Sequence, residues 1–278
     1  MLNSEIIKKI EDFVYAKPRS VQEIAEHIGK NWRTADRYVS EIEKNFGTIS
    51  ARVFREGTRG ALKVVYWASV EKISHSVFQE RLEQDITQAR RKEDFSAFDI
   101  FQHIEQKNKK VLVEKTEEEN IGELRELMLS AEKQILLFSG NLSFINLGNK
   151  KMDFFDAFDK LLKKNIVIKA LCRIDIAGKE NAEKMLSLNF KHGKENIEIR
   201  HDEHPLRAVI VDNKIARLKE VREPTGKTKE LNKKLFIFYT IKDKSWVEWL
   251  SRIFWKKFSN SVVAEKRLEE LEKIPLKL

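Results

Sequence analysis

Two short amphipathic segments joined at a glycine constrain the fold of this chain more than any other feature. The first segment, "SVQEIAEHIG", starts with a Ser-x-x-Glu capping box at Ser20, in which each side chain satisfies an otherwise unpaired backbone amide. Gly29 ends it, and the next segment, "NWRTADRYVSEIEKNF", places Ala35, Val39 and Ile42 on one side. A small residue where two helices cross and a glycine in the turn between them are typical of a helix-turn-helix.

Elements on both sides extend this prediction to a winged helix-turn-helix. A helix is expected from about Ser4 to Ala16, before a proline that prevents its continuation. Two strands are predicted in "TISARVF" and "ALKVVYWAS", and Gly57 and Gly60 in the connection "REGTRG" fit a hairpin turn. A basic hairpin beside a recognition helix is a wing that contacts phosphates or the minor groove. The pattern predicts this domain over residues 1–72.

The charges of this domain predict a DNA-contacting surface. Arg33, Thr34 and Arg37 lie near the N-terminal end of the second helix, which usually enters the major groove. Trp32 and Tyr38 either pack inward or lie along the sugar-phosphate backbone. The predicted DNA-binding set is Trp32, Arg33, Thr34, Arg37, Tyr38, Arg55, Arg59 and Lys63. Winged helices also mediate protein contacts, in which case these arginines would be ordinary solvated charges.

The composition agrees with a polyanion as partner. The 278 residues suffice for two domains, and their net charge of +9 with a pI near 9.3 favours nucleic acid. No apolar run approaches the length that crosses a bilayer, and the N-terminus lacks a signal-peptide pattern. The single cysteine, Cys172, excludes an internal disulfide and a cysteine-based zinc site. We therefore expect a cytoplasmic, chromosome-associated protein without contact to a membrane.

Residues 73–118 are predicted to be connecting helices. The segment "ISHSVFQERLEQDITQARRKEDFSAFDIFQHIEQKNKK" contains no Gly or Pro and carries two apolar stripes at helical spacing. The stripes consist of Val77, Phe78, Leu82 and Ile86, and of Phe95, Phe98, Phe101 and Ile104. Their partner is either another domain or a second subunit.

From residue 119 the pattern changes to alternating apolar runs and helices. The apolar runs are "QILLFSGN", "IVIKALCR", "ENIEIRHD", "RAVIVDNKIARL" and "KLFIFYTI". Helices are expected in "IGELRELMLSAEK", "FFDAFDKLLKKN" and "SWVEWLSRIFWKKF". This order indicates an α/β sandwich over residues 119–278.

The stretch "ILLFSGN…FFDAFDKLLKKNIVIKALC…IEIRH…LRAVIVDNKIARLKE" resembles half of a phospholipase D-type domain. The order and lengths of all the segments resemble the archaeal TrmB-like regulators. Those proteins join an N-terminal winged helix to a degenerate phospholipase D-like domain through a helical linker. The resemblance implies three parts: a winged helix-turn-helix over 1–72, a helical linker that could dimerise over 73–118, and a phospholipase D-like domain over 119–278.

The catalytic motif of that fold is His-x-Lys followed by four residues and Asp. Asp212 takes the aspartate place, and Arg207 stands where the lysine belongs. The nucleophile place is then Pro205, which has neither a nucleophile nor a proton. His204 is one residue out of register, and a second copy of the motif would have to come from a dimer. We therefore expect no catalytic residue and no enzyme activity.

The histidines also suggest no metal site. His201 and His204 are three apart, but the flanking sequence is strand and loop, and no carboxylate pattern with His192 resembles a known ligand set. We expect surface histidines at strand ends, no metal and no cofactor.

Aromatic and basic residues crowd parts of the second domain. Its C-terminal end contains Phe236, Phe238, Tyr239, Trp246, Trp249, Phe254, Trp255 and Phe258, more than one helix usually buries, which suggests a subunit interface. Its lysine pairs are Lys150/Lys151, Lys163/Lys164, Lys233/Lys234 and Lys256/Lys257. Each pair is ordinary alone, whereas together they would extend a DNA footprint. The insert from Lys219 to Lys234 is predicted to be a mobile basic loop.

These features predict a homodimer that binds double-stranded DNA and has a non-catalytic phospholipase D-like domain. It would act either as a promoter-specific transcription regulator or as a chromosome-architectural protein. The alternative from the enzyme class is a dimeric phosphodiesterase or nuclease of the phospholipase D type. The sequence identifies neither a target site nor a small-molecule effector.

Overall fold

The computed structural model describes residues 3–55, 61–68, 75–116, 121–147, 153–227 and 231–273. The chain forms two compact units. The first consists of Met1–Phe78, Phe98–His103 and Val221–Leu235, and the second of Gln79–Ala97, Ile104–Glu220 and Phe236–Leu278.

The first unit is built around three helices and a small sheet. The helices are α1 (Ser4–Ala16), α2 (Val21–His27) and α3 (Trp32–Asn45), and the strands are β1 (Arg19–Ser20), β2 (Ile49–Arg55) and β3 (Ala61–Trp67). All strand pairs are antiparallel, in the order β1-β3-β2. The winged helix-turn-helix predicted from the sequence is thereby confirmed.

The core of this unit is the apolar side of the helices. Ile10, Ile24, Ala35, Val39 and Ile42 are fully buried. Asn3 caps α1 by accepting a hydrogen bond from the amide of Glu5. Ala35, Val39 and Ile42 were predicted on this side of the helix from their spacing in the sequence.

The segment after the first unit's sheet begins with α4 (His75–Gln88) and α5 (Ala97–Phe101). The ring of Phe98 packs edge-on against Phe54 of β2 and Tyr66 of β3, with centroid distances of 6.1 and 5.5 Å. Part of the second predicted stripe therefore finds its partner in the sheet of the first unit, within the same chain.

The prediction of helix throughout residues 73–118 is corrected at its end. Lys109–Glu114 forms a strand, β4, which pairs antiparallel with β10 (Leu235–Ile241). Consecutive residues Val111, Leu112 and Val113 favour a strand once a partner strand is present, although lysines surround them.

The second unit contains an eight-stranded mixed sheet. Its further strands are β5 (Gln134–Phe138), β6 (Val167–Cys172), β7 (Ile197–His201), β8 (Ala208–Val211), β9 (Ile215–Arg222) and β11 (Val262–Val263). The strand order is β11-β7-β6-β5-β8-β9-β10-β4. Strands β5, β6 and β7 are parallel, and β8 runs antiparallel to β5.

Helices cover both faces of this sheet. One face is packed by α6 (Ile121–Leu129), α7 (Phe154–Lys163), α8 (Lys179–His192) and α10 (Ala264–Glu272). The other face carries α9 (Lys244–Asn260), whose Phe254 packs edge-on against Phe138 of β5 at 5.2 Å. The α/β architecture expected from the sequence is confirmed.

Two elements of the second unit differ from the sequence prediction. Helix α8 lies between β6 and β7, where no helix was expected. The run predicted as a single strand around Asp212 is a hairpin of β8 and β9, which turns at Asp212 and Asn213 with φ of 50° and 57°. Strand β9 continues to Arg222, so the insert predicted as a mobile loop from Lys219 begins as a strand.

The C-terminal aromatic residues are taken up within one chain. Trp246, Trp249, Phe254 and Phe258 of α9 are 0 to 4% exposed, and only Trp255 among the aromatics of this helix remains 39% exposed. Their number therefore does not by itself indicate a second subunit, and an interface at this end of the chain stays a prediction.

Candidate nucleic-acid interface

Helix α3 presents two arginines to solvent. The side chain of Asn31 caps the helix by accepting a hydrogen bond of 2.9 Å from the amide of Thr34. Ala35 and Val39 turn one side of the helix into the core, and Arg33 and Arg37 are exposed on another. Because these arginines are four residues apart, their side chains lie on the same face of the helix, in its N-terminal half.

The turn before α3 carries an exposed lysine, Lys30, that was not among the residues predicted from the sequence. The capping box of α2 is present, since Ser20 and Glu23 exchange hydrogen bonds of 2.7 and 3.2 Å with each other's backbone amides. Gly29 then adopts φ +64°, a conformation that favours glycine, and the exposed Lys30 follows it. The signal was the Gly-Lys-Asn turn itself, which places Lys30 next to the start of α3.

The two ambiguous aromatic residues of α3 pack inward. Trp32 and Tyr38 are half-buried and contact the core of the first unit. The guanidinium of Arg37 lies over the Tyr38 ring, 5.3 Å from its centroid. The Tyr38 ring thus packs against the Arg37 guanidinium, and only the exposed part of the ring could contact a ligand.

The wing residues have different environments. Arg55 lies at the end of β2, opposite Ala61 of β3. Arg59, with the turn over residues 56–60, lies outside the described residues. Lys63 forms an ion pair of 2.7 Å with Asp36 of α3, which neutralises its charge and joins the wing to the recognition helix. Lys63 therefore connects the wing to α3, and its contact with a phosphate stays a prediction.

The phospholipase D-like motif in the second unit has an anchored aspartate. The Asp212 carboxylate accepts hydrogen bonds from the amides of Glu132, Lys133 and Gln134 at 2.8, 2.8 and 2.9 Å. These bonds oppose the effect of partial burial and hold the Asp212 pKa below its usual range. Asp212 thus ties the β8–β9 turn to the start of β5.

His204 is buried, which corrects the expectation of a surface histidine. Its side chain is 3% exposed, packs edge-on against Phe138, and its Nε2 lies 3.1 Å from the Leu171 carbonyl oxygen. Burial, with a smaller effect of the Arg207 charge, lowers the pKa of His204 to about 3. The Leu171 carbonyl and the Phe138 ring thus hold this side chain inside the second unit.

Arg207 stands at the lysine position of the motif, and its side chain folds back onto its own backbone. Its Nη1 donates to the Leu206 carbonyl at 2.9 Å, and a Cβ at Gly140 would come within 2.6 Å of its Nη2. Burial and the nearby charge of Arg173 lower the Arg207 pKa. The guanidinium thus occupies the space that a side chain at position 140 would need.

Two further titratable groups of the second unit, His201 and Cys172, have pKa values shifted by burial. His201 accepts a hydrogen bond at Nδ1 from the Ile174 amide at 2.9 Å, and burial lowers its pKa. Cys172 is buried, which raises the pKa of its thiol to about 12. Within the ranges that the structure describes, no group of three or more His, Cys, Asp or Glu side chains is placed to hold a metal ion.

Several of the paired lysines are bound to carboxylates. Asp159 receives Lys163 at 2.7 Å, Lys191 at 2.6 Å and His192 at 2.9 Å, and these contacts hold its pKa well below the usual range. Similar ion pairs join Lys234 to Glu223, Lys256 to Glu83 and Lys257 to Asp202, and Lys150 and Lys151 lie outside the described residues. The lysine pairs therefore contribute less free charge than their number suggested.

In the part of the chain that the structure describes, no helix is long and apolar enough to cross a membrane.

Several solved structures are similar to this chain. TrmBL2, an archaeal chromatin protein whose structure shows a novel mode of DNA binding, is 17% identical, and the match covers 94% of this chain and 93% of TrmBL2 with a TM-score of 0.40. NucT from Helicobacter pylori is 12% identical over 56% of this chain and 98% of its own, with a TM-score of 0.39. Nuc from Salmonella typhimurium, a phospholipase D family member, is 14% identical over 56% and 97%, with a TM-score of 0.38.

No protein-family model matches the sequence, and the comparison with curated proteins finds no similar sequence. The solved structures that match thus include an archaeal chromatin protein and a phospholipase D family member, and the fold class predicted from the sequence is confirmed by the elements of the two units.

Proposed function

We propose that the first unit binds duplex DNA, with α3 in the major groove and the β2–β3 wing on the backbone. The observation that carries this proposal is the exposed pair Arg33 and Arg37 on one face of α3, next to Lys30 in the preceding turn. Guanidinium groups at this end of a recognition helix reach base edges and flanking phosphates. The net charge of +9 favours the same partner.

The protein would act as a homodimer, either as a promoter-specific regulator or as a chromosome-architectural protein. Two winged helices about one helical turn of DNA apart add contacts that one alone lacks. Residues 73–118 would link the winged helix to a phospholipase D-like domain that does not catalyse. Arg33, Thr34 and Arg37 would contact bases or nearby phosphates, and Arg55, Arg59 and Lys63 would lie on the backbone.

Fluorescence anisotropy across a salt series tests this proposal. The DNA upstream of the protein's own gene would be compared with a scrambled duplex of equal length. A preference of a hundredfold or more would identify a sequence-reading regulator, and equal binding with a steep salt dependence would identify an architectural protein.

The variant Arg33→Ala/Arg37→Ala tests the residues involved. We expect its affinity for DNA to fall at least tenfold, because each base or phosphate contact contributes about 1 kcal/mol or more. Lys44→Ala is the matched control, since Lys44 is exposed in the last turn of the same helix, away from its N-terminal end. Equal affinity of the double variant and the wild type would contradict the placement of α3, and no binding of the wild type at low salt would contradict DNA binding altogether.

A phosphodiesterase of the phospholipase D type is the second candidate, since Arg207 and Asp212 stand in two of the three motif places. Pro205 in the nucleophile place speaks against it. A generic phosphodiester assay on the wild type and on His204→Ala distinguishes the two: turnover that the substitution abolishes, while the thermal unfolding of the variant stays cooperative, would favour the enzyme.

A further inference from the structure

One stretch of chain between two strands of the large sheet belongs to the winged-helix unit. Val221–Leu235 connects β9 to β10, yet it forms part of the first compact unit together with α1, α2 and α3. We call its described parts, residues 221–227 and 231–235, the basic arm.

An ion pair connects the basic arm to the helix-turn-helix. The ammonium group of Lys227 binds the carboxylate of Glu26 on α2. Within the arm, Thr225 donates from its backbone amide and from its hydroxyl to the Leu231 carbonyl, at 2.9 and 3.1 Å. The side chain of Leu231 is 5% exposed. The ion pair with Glu26 is thus the contact that places the arm beside α2.

The position of Glu26 places the arm near the start of the recognition helix. Glu26 lies on the exposed side of α2, six residues before Trp32, the first residue of α3. Six residues span at most about 22 Å, even fully extended. The major groove is about 12 Å wide, so a surface within this reach of a helix in the groove can meet the flanking phosphates if it lies on the DNA-facing side of the unit.

The charges of the arm are suited to those phosphates. Lys234 is paired with Glu223 at 3.0 Å, whereas Lys233 is exposed and has no ion-pair partner among the residues that the structure describes. The hydrogen bond from Lys227 lowers the pKa of Glu26, which is therefore ionised at neutral pH. Lys227 thus offsets a carboxylate that would repel DNA, and Lys233 supplies a free positive charge.

We propose that the basic arm is a second DNA-contacting element, in which Lys233 binds a backbone phosphate and Lys227 neutralises Glu26 at the edge of the interface. This inference rests on the proposed function and adds to it a contact that comes from sequence some 190 residues after α3. The arm would raise affinity without reading bases, because its partner is the phosphate backbone.

The salt dependence of DNA binding by the full chain tests this proposal. The slope of log affinity against log salt changes by about 0.9 for each phosphate contact. For Lys227→Ala/Lys233→Ala we expect the slope to become shallower by about 1, from the loss of the one phosphate contact at Lys233, with thermal stability close to that of the wild type. The matched control Lys8→Ala/Lys9→Ala removes the same charge from the exposed side of α1 in the same unit.

The outcomes separate the two proposals. A shallower slope for the arm variant and an unchanged slope for the α1 variant would support the arm. Equal slopes for wild type and arm variant, while Arg33→Ala/Arg37→Ala still weakens binding, would overturn the arm and leave the proposed function intact. Equal loss in the arm and α1 variants would show a general charge effect and would also overturn the arm. No DNA binding by the wild type would refute the proposed function itself.

Discussion

At the scale of single residues, the pKa of His204 differs strongly from that of an exposed histidine. Its pKa is lowered to about 3 because it is buried against Phe138 and the Leu171 carbonyl. In the unfolded chain a histidine titrates near 6.5. Between about pH 3 and about pH 6.5, His204 is therefore mostly protonated in the unfolded state and mostly neutral in the folded state.

This difference predicts a pH-dependent stability. The contribution of His204 is fully present above about pH 6.5 and is lost as the pH falls toward 3, with a limiting slope of about 1.4 kcal/mol per pH unit. Urea unfolding of wild type and His204→Gln at pH 7.5, 6, 5 and 4 measures it. We expect a flatter dependence in the variant, with a remainder from His201, whose pKa is also lowered. Parallel curves would show that His204 is not the group involved.

Cys172 offers a second test at this scale. Burial raises the pKa of its thiol to about 12, so almost no thiolate exists at neutral pH. We expect a thiol reagent such as a disulfide dye to react with the native protein only at the rate of unfolding, and at once in denaturant. Rapid reaction of the native protein would contradict the buried position of Cys172.

At the scale of elements, Asp212 holds two strands together. It is one residue that accepts three backbone amides at the start of β5, while its own φ of 50° turns the β8–β9 hairpin. Hydrogen bonds to a charged acceptor contribute about 1.5–3 kcal/mol, and unpaired amides add a desolvation cost. The motif aspartate is therefore explained by the fold alone, whether or not the domain ever catalyses.

The variant Asp212→Asn tests this role. Asparagine tolerates a positive φ but removes the charge and one acceptor, so we expect a loss of about 1–3 kcal/mol in the free energy of unfolding. The control Glu132→Gln breaks the exposed ion pair with Lys214 and should cost less than about 1 kcal/mol. An equal, small effect of both substitutions would mean that the three amides find other acceptors.

The elements also show what the sequence could predict. The capping box at Ser20 and the turn at Gly29 are local signals, so α2, the turn and α3 were predicted close to their observed bounds. Helix α8 was missed because its buried residues, Ala182, Met185 and Leu188, are separated by polar ones and include few large side chains. Strand β4 was missed because pairing with β10 decides its conformation. Such pairing joins distant residues and leaves no local pattern.

Of the candidate site, the sequence predicted the exposed residues of α3 but not the contacts between elements. The exposure of Arg33 and Arg37 follows from helical periodicity, which places them away from Ala35 and Val39. The burial of His204 depends on a carbonyl and a ring from two other strands, and the ion pair of Lys63 on a residue of α3. Contacts of this kind depend on the tertiary fold.

At the scale of the whole molecule, the positive charge is unevenly available. Many lysines of the second unit are neutralised by carboxylates, as at Asp159, whereas Lys30, Arg33, Arg37 and Lys233 of the first unit are exposed. The net charge of +9 is a sum over the chain and does not show where the exposed cations lie. Affinity for DNA is expected to follow these four side chains more closely than the total charge.

A homodimer is the remaining prediction at this scale. We expect the purified chain to sediment at twice its mass of 32.7 kDa at micromolar concentration, because a single winged helix offers limited contact with DNA. Analytical ultracentrifugation at several concentrations measures this. A chain that stays monomeric even when bound to a duplex with two half-sites would contradict the dimer.

Because the Arg207 guanidinium lies close to Gly140, the side chain that fits at position 140 depends on the side chain at position 207. A methyl group at position 140 would meet the guanidinium 2.6 Å away, whereas a shorter side chain at 207 would leave it room. Related sequences with alanine or serine at 140 should therefore either lack an arginine at 207 or place its guanidinium elsewhere. A pair of substitutions, Gly140→Ala with Arg207→Ser, should likewise be tolerated better than Gly140→Ala alone.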